Sequence, residues 1–490
     1  MIFNSVSYLI FFPIAAAVYF ILPGKVQNYW LLAASFIFYM NWNPVYALLL
    51  LSSIVITYIS AIIMEKGICP KAVLALCVIA NIGMLVVFKY TAFIAQSTNT
   101  LLSFFTQRRF SIPDIVLPVG ISFYVFQALG YAIDVYRKNI KAERRFFRYA
   151  LFVSFFPQLV AGPIERSKNL LPQFDKEHRF DADRVRKGLL IMLWGLFVKI
   201  VIADRIALMV TDVYDNYLSC SGSQIFLAAL LFTLQIYCDF AGYSYIAIAS
   251  AYILGFKLMD NFHTPLLSVS LRQFWKRWHI SLTTWFTDYL YIPLGGNRKG
   301  KFKKWRNVLI VFFVSGLWHG ASWTYVLWGV LNGLLLVAGQ MTEGSFSRIT
   351  KALQVNDESL SYRVLGRIWT YLVTSLLFFV FRAETLSQAV GMLRQAKALP
   401  QLSGLFGASV QRLADAGGLD AGALAAFIAA VVLLTIVDSL QYKNRDVAAL
   451  VLSQGKVLRW MVYLGILAMI MIFGVYGNEY AQTQFIYFQF

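Results

Sequence analysis

Val45 to Met64 contains no charged side chain. About 20 apolar residues carry an α-helix across the hydrocarbon of a bilayer, and this stretch is one of many. Comparable or shorter runs are Met1–Leu22, Tyr29–Met40, Lys71–Phe88, Tyr90–Phe105, Ile115–Val135, Tyr149–Val160, Gly188–Val210, Ile225–Cys238 and Gly242–Leu258. Further on come Val308–Trp318, Trp323–Gln340, Ile368–Phe381, Ala423–Val437 and Trp460–Val475. Of the 490 residues 59 % are hydrophobic and 14 % charged, where soluble domains carry roughly 25 % charge. The mean hydropathy is +0.64. A chain this apolar cannot hide its apolar surface in one core and still face water. A soluble enzyme, a disordered chain and a secreted disulfide scaffold are therefore excluded. The expectation is an all-α polytopic membrane protein, with residues 1–490 forming one multi-pass domain. Several runs are too short to cross alone and read as re-entrant, interfacial or merged helices, giving about eleven to thirteen crossings. Met1–Leu22 lacks a basic start and a small-residue cleavage site, so it reads as a retained first span.

The charge supports the same class. Lys and Arg number 43 against 24 Asp and Glu, a net +19. The bases are bunched in short loops: Arg137 to Arg148 holds six with one acid, and Arg298 to Arg306 holds six with none. That is the bias of cytosolic loops in membrane proteins rather than a nucleic-acid surface. The four cysteines (Cys69, Cys77, Cys220, Cys238) show no metal-ligand spacing.

Polar and ionisable groups are dense within or beside apolar runs between Tyr237 and Asn332. Such groups are costly in lipid and are functional candidates by default. If Leu271–Tyr291 is a helix, Arg272, Lys276, His279 and Thr283 fall on one face and Phe274, Trp278, Leu282 and Trp285 on another. This pattern suits an interfacial anchor as well as a functional element. In Ser315-Gly316-Leu317-Trp318-His319-Gly320-Ala321-Ser322-Trp323, helical spacing would align Ser315, His319, Ser322 and Trp323. His319 closes an apolar run among small residues. It reads either as a packed core histidine or as a proton acceptor for a hydroxyl nucleophile. No Gly-x-Ser-x-Gly elbow, His-Glu-x-x-His pair or phosphate-binding glycine loop is present, which argues against a serine hydrolase and a metal centre. Gly295-Gly296-Asn297 reads as a turn, His263 as a loop residue and His178 as a solvated one.

The runs Asp239-Phe240-Ala241-Gly242-Tyr243-Ser244, Asn261-Phe262 and Phe274-Trp275-Lys276-Arg277-Trp278-His279-Ile280-Ser281-Leu282 resemble the membrane-bound O-acyltransferase family. Asp288 to Arg298, Leu317-Trp318-His319-Gly320, Pro157 to Ile164 and the closing Phe485 to Phe490 extend the likeness, whose core is residues 117–332. The nearest branch looks like the bacterial alginate O-acetylases. The resemblance implies a central tunnel with His319 as catalytic histidine and His279 as a second signature position. It also implies substrate-binding candidates at Asp239, Trp275, Trp278, Asp288 and Asn297; attraction of the donor's phosphates adds Arg298 and Lys299, and the local pattern adds Ser315, Trp318 and Trp323. The implied reaction takes an acetyl group from a cytosolic thioester, acetyl-CoA or another acyl thioester, with no tightly bound cofactor or metal. The acceptor would be a hydroxyl of an exported polysaccharide or cell-wall polymer, or an extracytoplasmic SGNH-type acetyltransferase, at the bacterial inner membrane. D-alanyl transfer to teichoic acid and a proton-coupled transporter are the alternatives.

Overall fold

The structure is a computed structural model that describes residues 1–160, 162–396 and 407–476. Ala161, inside one family-like run, and the closing Phe485 to Phe490 lie outside the described residues. The described residues are helical, without a strand. Seven helices among them are long and apolar enough to cross a membrane: Tyr46–Glu65, Pro70–Leu102, Gly222–Leu254, Trp323–Ala352, Leu360–Arg382, Ala421–Tyr442 and Lys456–Phe473. The chain is a multi-pass membrane protein. Lys71–Phe88 and Tyr90–Phe105 merge into one helix through a π-helical turn at Val86–Tyr90. Ile225–Cys238 and Gly242–Leu258 merge as well, because Asp239, the only charge between them, is buried and paired rather than a break. The first span shortens to Val6–Ile21.

The chain forms two compact units, Met1–Met192 with Ile246–Asp260, and Leu193–Tyr245 with Asn261–Phe490. In the first, buried hydroxyls and amides satisfy one another between helices, as burial in an apolar surround demands. Ser53 donates to Asn81 at 2.6 Å, Thr57 and Tyr149 share a bond of 2.6 Å, and Gln127 donates to the Phe152 carbonyl at 2.6 Å. The segment 246–260 is tied in by Tyr8 and Ser250, 2.6 Å apart, and by the Glu165 carboxylate, which accepts from the Met259 amide. The basic run Arg137 to Arg148 is neutralised in part: Arg144 pairs with Glu65, and Arg148 with Glu143 and Asp175. His178 is half-buried rather than solvated. Its ring lies 4.6 Å from that of Phe256, and Nε2 is 3.1 Å from the Gln173 carbonyl.

In the second unit the helices Lys301–His319 and Trp323–Ala352 form a hairpin. Their backbones approach so closely that a Cβ on Gly316 would lie 2.4 Å from the Tyr325 carbonyl oxygen, and one on Gly329 would lie 2.3 Å from that of Phe312. Small residues allow this approach, and dispersion over the whole contact rewards it. In the same unit, Lys199 donates to Asp204 at 2.6 Å and also to Asp239, all three side chains being buried. Lys199 sits in the π-helical stretch Phe197–Ala203, so Gly188–Val210 is not one regular helix.

Candidate active site

His319 is the last residue of its helix, followed by extended Gly320 and by Ser322, which caps the next helix by accepting from the Thr324 amide. The expected single face therefore does not exist. Ser315 lies one turn before His319 and is buried, but Ser322 and Trp323 belong to the next element, and Trp323 is 54 % exposed.

The expected continuous helix Leu271–Tyr291 is also broken. Leu271–Arg277 and Ile280–Phe286 are separate helices, followed by a π-helical turn, Thr287–Tyr291. The cause is competition for backbone groups. The Ile280 amide donates to the Asn261 carbonyl at 2.9 Å, and the Arg277 carbonyl accepts from the His263 amide at 3.0 Å. Helical partners for both groups are thus replaced by the loop segment 261–263. Between them His279 takes φ 42°, ψ 55°, a left-handed conformation uncommon for a side-chain-bearing residue. Asn261 reinforces the junction, accepting from Ser281 at 2.6 Å and donating to Ser244 at 3.0 Å. The kink turns His279 inward, to 1 % exposure, while Arg272 and Lys276 stay exposed.

The two imidazoles meet. Their ring centroids are 6.5 Å apart. Ring nitrogens lie about 1 Å off a centroid, so no nitrogen of one ring comes closer than roughly 4 Å to a nitrogen of the other, beyond a direct hydrogen bond. Both rings are walled by aromatics. Trp318 lies 5.0 Å from His319 and 5.8 Å from His279. Trp328 and Phe381 face His319 at 5.1 and 5.4 Å, and Phe240 faces His279 at 4.7 Å. Two proton-accepting groups, both buried and walled by aromatics, suit proton transfer to and from a single reacting group.

The other candidates divide. Trp275 supports the wall, donating from Nε1 to Asn332 at 3.1 Å and lying 5.6 Å from Trp328. Trp278 is buried among Phe274, Phe262 and Phe378, at 5.2, 5.1 and 5.1 Å. Asp239 is paired with Lys199, and its neighbour Phe240 is the residue that touches the His279 ring. Asp288 is half-buried in the π-helical turn, while Asn297, Arg298 and Lys299 are exposed in the turn that follows. Asn307 holds that turn, donating to the Gly296 carbonyl at 3.0 Å. His263 lies in a loop as expected. Sequence reasoning missed Trp328 and Phe381, because aromatics inside apolar runs look the same whether they face lipid or a site. It also missed Lys199 and Asp438, for which the signal was available: an ionisable side chain in or at the end of an apolar run.

The family model described as "MBOAT, membrane-bound O-acyltransferase family" matches residues 143–381, which include both histidines. The chain is 36 % identical over 398 residues to "Probable alginate O-acetylase AlgI" of Azotobacter vinelandii, covering 79 % of this chain and 76 % of that protein. It is 34 % identical over 449 residues to "Peptidoglycan O-acetyltransferase" of Helicobacter pylori, covering 84 % and 82 %. "Teichoic acid D-alanyltransferase" of Streptococcus thermophilus is 27 % identical over 281 residues, 54 % of this chain and 68 % of that protein. With its apolar helices, its paired imidazoles and relatives matched over most of their length, the chain belongs to the membrane-bound O-acyltransferase family and is an O-acyltransferase.

Proposed function

We propose that the protein transfers an acetyl group from a cytosolic thioester, acetyl-CoA, to a hydroxyl of an exported or cell-wall polysaccharide, or to an extracytoplasmic acetyltransferase that completes the transfer. The convergence of His279 and His319 in one aromatic enclosure carries this reading. His319 takes the proton of the attacking hydroxyl and returns it to the leaving thiolate, so that proton count and charge balance over the cycle. General base catalysis of this kind contributes about 10²- to 10⁴-fold. His279 polarises the thioester carbonyl or holds the acceptor. Both run without a tightly bound cofactor or metal. Arg298 and Lys299 in the exposed basic turn attract the phosphates of the donor. The bias of the basic loops supports a cytosolic donor face and the bacterial inner membrane as location.

The test is acetyl transfer by purified protein in membranes, with labelled acetyl-CoA or an aminoacyl carrier protein as donor. Acetyl-CoA is expected to serve. His319→Ala is expected to abolish transfer while the folded protein remains in the membrane. Full activity in that variant refutes the role of His319. Activity with the aminoacyl carrier alone replaces the donor by that of D-alanyl transfer. Net movement of an intact solute without label in polymer would mark a transporter.

A further inference from the structure

The Ala421–Tyr442 helix lies beyond the segment matched by the family model, yet three residues on one face of its last turns reach the surroundings of His279. Both carboxylate oxygens of Asp438 accept from the Tyr237 hydroxyl, at 2.9 and 3.1 Å, and both residues are buried. The Tyr237 ring lies 5.8 Å from Phe262 and 6.4 Å from Trp278, the residues that flank the Asn261 and His279 junction. One turn on, Gln441 is bonded to the Tyr245 hydroxyl at 3.3 Å. Tyr442 then offers its ring to the Arg277 guanidinium, 4.4 Å away, and to that of Arg367, 5.3 Å away. Arg277 in turn donates to the His263 carbonyl at 3.1 Å, across the same junction.

These contacts bracket His279 on its N-terminal side from two directions. Left-handed backbone at a residue with a Cβ persists only where neighbouring structure over-determines it. The local hydrogen bonds of Asn261 supply part of that constraint, and the helix end holds the residues next to it, Arg277 through Tyr442 and Trp278 through Tyr237. A buried carboxyl group is also an expensive way to hold a tyrosine if packing is its whole purpose, since burying a polar group is costly and an apolar residue would fill the space. What it adds is direction: two acceptor oxygens fix one hydroxyl, and with it the ring that backs Trp278.

We propose that Asp438 is a positioning residue for transfer at His279, acting through the Tyr237 hydroxyl and the Trp278 ring. This rests on the reading that the two histidines are the transfer site. Misplacing a reacting group by about 1 Å costs on the order of 100-fold in rate. Asp438→Leu and Tyr237→Phe are accordingly expected to lower kcat by about 10- to 100-fold, leaving KM for the acetyl donor within about twofold. Asp438→Asn keeps an acceptor for the hydroxyl and is expected to restore kcat to within about threefold of the parent. The double variant should be no slower than the slower single one, since both cut the same link.

The measurement is kcat and KM per folded molecule, in membranes, with the parent protein run in parallel. A parent protein without transferase activity refutes the site reading. A working parent together with a Tyr237→Phe variant of unchanged kcat overturns the positioning role. So does an Asp438→Asn variant as slow as Asp438→Leu, or a loss confined to KM. Tyr237→Phe keeps the ring and its volume, and decides the matter if Asp438→Leu does not accumulate.

Discussion

Gly316 is where packing and chemistry are most tightly coupled. A Cβ added there lies 2.4 Å from the Tyr325 carbonyl oxygen and 3.4 Å from the Gly329 Cα. Ordinary contact begins at 3.4 Å, so Gly316→Ala demands a shift of about 1 Å between the two helices of the hairpin. The obstacle is backbone in a regular helix, so no side chain can swing aside to absorb it. Overpacking of this kind costs about 1–3 kcal/mol. His319 lies three residues on, at the end of the same helix, and on its proposed role as proton acceptor a displacement of about 1 Å costs on the order of 100-fold in rate. The expected result is a modest fall in thermal unfolding midpoint in detergent and a much larger proportional fall in kcat. Gly339→Ala supplies the control: it lies on the partner helix with nothing within 4 Å of the added Cβ. That substitution should be neutral or stabilising by up to about 1 kcal/mol through helix propensity. If Gly316→Ala unfolds and turns over like the parent, close helix approach is not what places His319.

The remaining predictions concern buried charge. Lys199→Met leaves the buried carboxylates of Asp204 and Asp239 without their shared ammonium, and removing one partner of such a group costs about 3–5 kcal/mol. The yield of folded protein from membranes should fall sharply, and a parental yield and unfolding midpoint would disprove the structural role of this cluster. Glu165, in the loop after Leu159, is pushed by burial from its ordinary 4.5 up to about 6. A carboxyl raised in the folded state contributes stability below the unfolded value, and that contribution is lost as pH rises through about 6. The difference amounts to about 2 kcal/mol. The unfolding midpoint of the parent should therefore decline between about pH 4.5 and 7, relative to that of Glu165→Gln, and parallel profiles for the two proteins would refute it.

Much of the membrane architecture could be read from hydropathy, because a bilayer demands long apolar helices whatever their neighbours are. Hydropathy did not reveal where helices end. Leu271–Tyr291 has unbroken amphipathic spacing, yet its helix stops because Asn261 and His263, distant in sequence from Ile280 and comparable in reach to helical partners, take its backbone groups. No window along the chain contains that information. The histidines were legible for the opposite reason: ionisable groups among apolar residues are rare enough to stand out one by one. Their enclosure was not. Trp328 and Phe381 come from two further helices and carry no polar label that separates a site wall from a lipid-facing surface.

Both imidazoles stand at interruptions of helices, one at a helix end and the other between two short helices. Inside a continuous helix a side chain leans over the preceding turn, and its direction is set by the helix axis. Ending the helix frees that direction but exposes backbone donors and acceptors, which in an apolar surround cost several kcal/mol each if left unmet. At His279 the debt is met locally, by the carbonyl of Asn261 and the amide of His263. At His319 the following helix starts within four residues, and Ser322 caps it with its own hydroxyl. Polar residues around the histidines therefore have a task that precedes chemistry: they permit the breaks that let two imidazoles face each other. Substitutions at Asn261 or Ser322 should be judged first by backbone hydrogen bonding and only then by contact with substrate.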